Sequence, residues 1–180
     1  MRLEQGDKAC IIGAGAWAGA LGVVLSDNGY RVTLWARSES TVRYFEANQG
    51  VPRLPGIKLS RNITVTTDVD AALHGASLVV LAIPSSALAQ VAEEIAGRLP
   101  EDAYIVTATK GFDLDTLRRP SQVWIDANPS IEHRMCVISG PNFAQEIAMR
   151  LPAATVVASA DKLTRLAVQH AFMTEYFRVY

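Results

Sequence analysis

The sequence predicts an α/β protein: a doubly wound, mostly parallel sheet with helices on both faces. Three observations carry that expectation. Short apolar, β-branched runs alternate with segments of helical period along the chain. One run, Leu78–Ile83, has no polar face, as a central parallel strand covered on both sides requires. The first run, Ala9–Ile12, passes directly into Gly13-Ala14-Gly15-Ala16-Trp17-Ala18, a G-x-G-x-x-G/A turn of the kind that leads a strand into a helix at a dinucleotide site.

Taken in order, the first strand is Ala9–Ile12. Gly13 allows the tight turn out of it, Gly15 lets a pyrophosphate approach the backbone, and Ala18 is small enough for helix to pack on strand. The helix that follows, near Ala18–Asn28, points unpaired amides and a partial positive charge at the phosphates. Gly29 ends it, and Arg31–Trp35 is the second strand. A helix over Glu39–Asn48 leads into Gly50 to Ser60, which carries Pro52, Pro55 and Gly56 and reads as a surface loop. Strands over Ile63–Thr66, Leu78–Ile83, Ala103–Ala108, Met135–Ile138 and Thr155–Ala158 then alternate with helices over Ser86–Leu99, Ser121–Ala127, Phe143–Met149 and Lys162–Phe172. Right-handed crossovers between them make the fold Rossmann-like. Phe177–Tyr180 reads as a strand barely begun. With no repeat, low-complexity tract or linker, residues 1–180 are expected to form one domain.

Bulk properties narrow the function classes. The chain has 180 residues, 49% hydrophobic and 19% charged, and a formal net charge of -1. Nothing in that balance points to nucleic acid or to an anionic membrane surface. No apolar stretch is long enough to span a bilayer. The polar start, Met1 to Asp7, is unlike a signal peptide, so the cytoplasm is the expected compartment. Cys10 and Cys136 lie in apolar runs and read as buried reduced thiols. His74, His133 and His170 share no ligand spacing, so no metal site is expected. Carboxylates such as Glu93, Glu94, Asp113 and Asp115 read as solvated.

Ligands of open α/β sheets bind outside the carboxyl ends of the strands. Those ends carry Gly13 and Gly15, Arg37, Pro84-Ser85, Lys110-Gly111, and Ser139-Gly140-Pro141-Asn142. Arg37 is informative. An NAD site usually has Asp or Glu about twenty residues past the first glycines, for the ribose 2′-OH. Here the second strand ends Leu34-Trp35-Ala36-Arg37. An arginine there can pair with a 2′-phosphate, so NADP is favoured with NAD tolerated; an ordinary exposed arginine is the plainer reading. Lys110 can point its ammonium into the crevice toward a carbonyl, a phosphate or the nicotinamide, or stand as a solvated loop lysine. Gly140 to Ala144 opens a short helix whose amides and Asn142 side chain can hold a polar substrate, or is a simple helix entry with proline in its first turn.

Six motifs in order carry a resemblance. They are Gly13 to Ala18, Leu34 to Arg37, Leu54-Pro-Gly-Ile57, Ala82-Ile-Pro-Ser85, Thr109-Lys-Gly111 and Ser139-Gly-Pro-Asn-Phe-Ala144. At these intervals the chain resembles the bacterial NAD(P)-dependent sn-glycerol-3-phosphate dehydrogenase family over its whole length. That family reduces dihydroxyacetone phosphate to sn-glycerol 3-phosphate for phospholipid synthesis. The resemblance implies that Ala16, Trp17, Arg37 and Ala144 contact NADPH, that Lys110 touches cofactor and substrate, and that Gly140 and Asn142 bind substrate. Three residues depart from the pattern: Ala18 for the commoner third glycine, Asn142 where serine is usual, and Arg53 where tyrosine commonly precedes Leu-Pro-Gly. The family has a second, mostly helical domain after a strand like Phe177–Tyr180. The resemblance places the general acid/base lysine and most phosphate ligands there. The chain is accordingly expected to be the cofactor-binding half, with no catalytic residue of its own and little or no turnover alone. A homodimer is compatible with the sequence.

Two other readings remain open at this point. One is the first domain of a ketopantoate reductase or a 6-phosphogluconate dehydrogenase-like enzyme, which would share the glycine turn but not the Ser-Gly-Pro-Asn-Phe-Ala motif. The other is a free-standing nucleotide-binding or redox-sensing module.

Overall fold

A computed structural model describes residues 3–180; Met1 and Arg2 of the polar start lie outside them. The elements are β1 (Lys8–Ile12), α1 (Ala16–Asp27), β2 (Arg31–Trp35), α2 (Glu39–Asn48), β3 (Ile63–Thr66), α3 (Val69–Leu73), β4 (Ala76–Leu81), α4 (Leu88–Ile95), β5 (Tyr104–Thr107), α5 (Pro120–Ala127), β6 (Met135–Ser139), α6 (Ala144–Ala148), β7 (Ala153–Ala158), α7 (Lys162–Phe172) and β8 (Phe177–Val179). The strands form an 8-stranded sheet in the order β3-β2-β1-β4-β5-β6-β7-β8. Pairing is parallel from β3 to β6, antiparallel between β6 and β7, and parallel again to β8. The first part of this order, 3-2-1-4-5-6, is the doubly wound one, and it reverses at β1.

Alternate residues of each central strand serve opposite layers, because strand side chains have a period of two. Ala9 and Ile11 of β1 and Leu78 and Val80 of β4 pack with α1, α6 and α7. Cys10 and Ile12, with Val79 and Leu81, pack with α3, α4 and α5. Both faces are therefore covered, which explains why Leu78–Ile83 reads as apolar throughout. Burial pushes both free thiols up, to about 12, so Cys10 and Cys136 are inert protonated core residues.

Helix α1 ends in a Schellman motif. Gly29 has φ +86°, its N–H donates to Ser26 O at 3.0 Å, and Tyr30 N–H donates to Leu25 O at 3.0 Å. The turn returns the chain at once to β2 beside β1.

Several expectations change. The long helix over Ser86–Leu99 is α4 with a short 3-10 turn at each end, Ser85–Ala87 and Ala96–Arg98. A five-residue α3, capped by the Asp68 carboxylate accepting from Ala71 N–H at 3.0 Å, precedes β4. Gly50 to Ser60 is the expected surface loop, with Pro52, Arg53, Pro55, Gly56, Lys58 and Ser60 exposed, but three of its side chains turn inward. Val51, Leu54 and Leu59 join the core, because Gly19 of α1 leaves room for them: a Cβ there would lie 3.0 Å from Val51 Cγ2 and 3.3 Å from Leu54 Cδ2. Asp113 is also not solvated. It is 4% exposed and accepts from Thr116 N–H (2.9 Å) and Thr116 Oγ1–H (2.6 Å), closing the turn after Lys110.

Candidate dinucleotide site

The crevice where the strand order reverses is framed by backbone bonds that align the strand ends. Gly13 N–H donates to Trp35 O (3.0 Å), Ala82 N–H to Ile12 O (2.9 Å) and Ala108 N–H to Leu81 O (2.9 Å). Gly13 has φ +125°, and a Cβ on it would stand 2.5 Å from Ala82 O. Only glycine fits, on grounds of both conformation and space. Gly15 differs: a Cβ there would meet nothing within 4 Å, so its missing side chain leaves open space above the turn. Helix α1 starts at Ala16 with no side-chain cap and no acid in its first turn. Its first amides and its positive dipole end face that space, as an anion requires.

Trp17, Lys110 and Asn142 form one connected group. The Trp17 indole Nε1–H donates to Ala108 O at 3.1 Å, fixing the ring. Lys110 Nζ lies 5.0 Å from the ring centroid and donates to Asn142 O at 3.0 Å. Asn142 is 8% exposed and spends its amide Nδ2–H on Ala154 O at 2.7 Å; its buried Oδ1 has no hydrogen-bond partner. A Cβ on Gly140 would approach Asn142 Oδ1 at 2.9 Å and Thr155 Oγ1 at 3.1 Å, so this turn is packed hard against β7. The β6–α6 turn thus positions Lys110 from its backbone, while the Asn142 side chain anchors the turn to β7.

These groups share one cavity of about 820 Å³. Gly13, Gly15, Ala16 and Trp17 line it from the β1–α1 turn, and Arg37, Pro84, Lys110, Asn142 and Ala144 from the other strand ends. Ala18, fully buried, stands behind the wall, and Gly140 is also outside the lining. Arg53, noted in the sequence only as a departure from the family pattern, lines the cavity too, as do Ser38 and Thr41, which the sequence did not single out. No Asp or Glu is among the lining residues. A second hollow, of about 400 Å³, lies between α4, α5 and the loop residues Asp113, Thr116 and Arg118. Among the described residues no cluster of three His, Cys, Asp or Glu is placed to hold a metal, and no helix is long and apolar enough to cross a membrane.

Residues 8–165 match the family model of the NAD-dependent glycerol-3-phosphate dehydrogenase N-terminus. The chain belongs to this family. Among its glycerol-3-phosphate dehydrogenase [NAD(P)+] relatives, that of Moorella thermoacetica is 40% identical over 175 residues, covering 97% of this chain and 51% of the relative. A Mycobacterium tuberculosis relative, glycerol-3-phosphate dehydrogenase [NAD(P)+] 2, is 44% identical over 171 residues, 94% of this chain and 51% of its own length. The crystal structure of the Coxiella burnetii glycerol-3-phosphate dehydrogenase superposes with a TM-score of 0.88 at 28% identity, over 97% of this chain and 53% of that one. The chain spans about half the length of the relatives it matches. A ketopantoate reductase from Ralstonia eutropha shares 16% identity at a TM-score of 0.63, a likeness of fold alone. The glycerol-3-phosphate dehydrogenase assignment thus prevails over the ketopantoate reductase and free-module readings.

Proposed function

We propose that this chain is the cofactor-binding half of an enzyme that reduces dihydroxyacetone phosphate to sn-glycerol 3-phosphate, and that it holds NADP in preference to NAD. The observation that carries this is the cavity itself. A glycine cradle open above Gly15, an uncapped helix start and three lining cations meet with no acid among them. A phosphorylated dinucleotide fits that donor set. In this reading the α1 amides take the pyrophosphate, and Arg37, whose side chain has no partner among the described residues, takes the 2′-phosphate.

Bound there, the nicotinamide supplies a hydride. The protein's own work is to orient and to neutralise. Trp17 and the Asn142 carbonyl hold Lys110 at the mouth of the site, where its ammonium can leave the carbonyl for a more negative partner on the substrate. Gly140 and Asn142 shape the substrate side of the cavity through the β6–α6 turn, and Pro84 and Ala144 its walls. The proton for the substrate oxygen is assigned, as the family resemblance implies, to a lysine outside these residues. The chain alone is therefore proposed to bind cofactor with little or no turnover. Its two buried free thiols suit a reducing compartment, and we place it in the cytoplasm. Calorimetric titration with NADPH and NADH tests the reading. Arg37→Ala is expected to weaken NADPH binding by about tenfold or more and to leave NADH nearly unchanged. Equal losses for both would remove the 2′-phosphate role.

A further inference from the structure

Arg53 stands on the loop between α2 and β3, and that loop is anchored on each side of it. Val51 and Leu54 are 1% and 2% exposed and press on α1 at Gly19. Leu59 N–H closes the loop onto Gln49 O at 2.7 Å, and Gln145 of α6 reaches Pro55 O at 3.4 Å. Arg53 itself is exposed, and its side chain has no partner among the described residues. A fixed backbone therefore presents a free guanidinium to a defined place, which is the cavity that Arg37 also lines.

The charges around the pair are one-sided. Ser38 and Thr41, at the start of α2, add hydroxyls to the same lining. The nearby acid Glu39 does not line the cavity and accepts from the Thr67 hydroxyl. Two guanidinium groups that line one cavity with no acid among its lining residues favour an anion there. A phosphate monoester close to its dianionic state can accept from both. The pyrophosphate already has the α1 amides at the other end of the turn, so it does not explain a cation on this loop.

We infer that Arg53 is a second specificity residue, which joins Arg37 in holding the 2′-phosphate of NADP. This rests on the cofactor reading given above. Adenosine 2′,5′-bisphosphate and AMP separate the two, because they differ only in that phosphate. Titrated into the full chain, Arg53→Gln is expected to weaken the bisphosphate roughly ten- to a hundredfold and AMP less than about twofold. Arg53→Lys should recover part of the loss, and the wild-type preference should shrink as salt rises. Equal loss for both ligands would move Arg53 to the pyrophosphate and overturn the inference, as would no loss for either. If Arg37→Ala abolishes the preference while Arg53→Gln keeps it, the inference fails and the cofactor reading stands. If the wild type itself shows no preference, both fail. Arg53 is exposed, so unchanged thermal midpoints are expected and serve as the folding control.

Discussion

Lys110 Nζ lies 5.0 Å above the Trp17 ring centroid, and that ring is pinned by its own N–H to Ala108 O at 3.1 Å. The two residues are far apart in sequence and meet because β1 and β5 both flank β4. At a largely exposed lysine such a contact contributes about 0.5–1 kcal/mol. Trp17→Leu is therefore expected to weaken NADPH binding a few-fold, whereas Trp17→Phe, which keeps a ring face but loses the pinning bond, should fall between. Fluorescence-independent calorimetry checks this; an unaltered affinity in Trp17→Leu would show that the ring does not position Lys110.

Gly13 and Gly15 should separate stability from binding. A methyl on Gly13 meets Ala82 O at 2.5 Å with φ at +125°, so Gly13→Ala is expected to cost about 3 kcal/mol of folding free energy. A methyl on Gly15 meets nothing within 4 Å, so Gly15→Ala should cost less than about 1 kcal/mol yet weaken the dinucleotide at least about tenfold. Urea unfolding and cofactor titration on the two variants give both numbers.

Gly19 supports the loop that carries Arg53. Gly19→Val is expected to displace Val51 and Leu54 and to cost about 1–3 kcal/mol, with a lower affinity for NADPH as the loop shifts. A variant destabilised to that extent but binding normally would show that the loop lies outside the site.

Two carboxylates contribute to the acid sensitivity of the fold. Hydrogen bonds from the Thr116 hydroxyl and amide hold Asp113 below its ordinary 3.8, and the Thr164 amide, capping α7, does the same for Asp161. Both have a lower pKa folded than unfolded, so the unfolded chain binds more protons in acid. Their stabilisation is full above the unfolded value and is lost as pH falls through the folded one. The thermal midpoint should drop between about pH 5 and about pH 2, and Asp161→Asn should flatten part of that drop because the amide oxygen still caps α7. An identical slope in Asp161→Asn would refute the assignment for that residue.

Much of the fold is visible in the sequence because its signals are local. The β1–α1 turn needs glycine at Gly13, and the fully apolar β4 needs cover on both faces. The loop at Gly50 to Ser60 was harder to read, since Pro52, Pro55 and Gly56 report backbone shape while the burial of Val51 and Leu54 depends on Gly19, distant in sequence. Helix α3 is too short to show a period, and the antiparallel turn from β6 into β7 is a matter of register that neither strand encodes alone. The candidate site was legible where the cavity lining sits on strand ends, as with Arg37 and Lys110. Arg53 stood out in the sequence only as a departure from the family pattern, because its place in the cavity lining depends on how the loop packs on α1 at Gly19.

The central proposal is that this crevice is the cofactor site. Amide shifts of the labelled chain during titration with NADPH test it most directly. Saturable one-to-one shifts at Gly13 to Ala18, Arg37, Lys110 and Ala144, with Asp126 and Ala127 of α5 unmoved, are the predicted result. Shifts confined to the hollow between α4 and α5, or none that saturate, would contradict it.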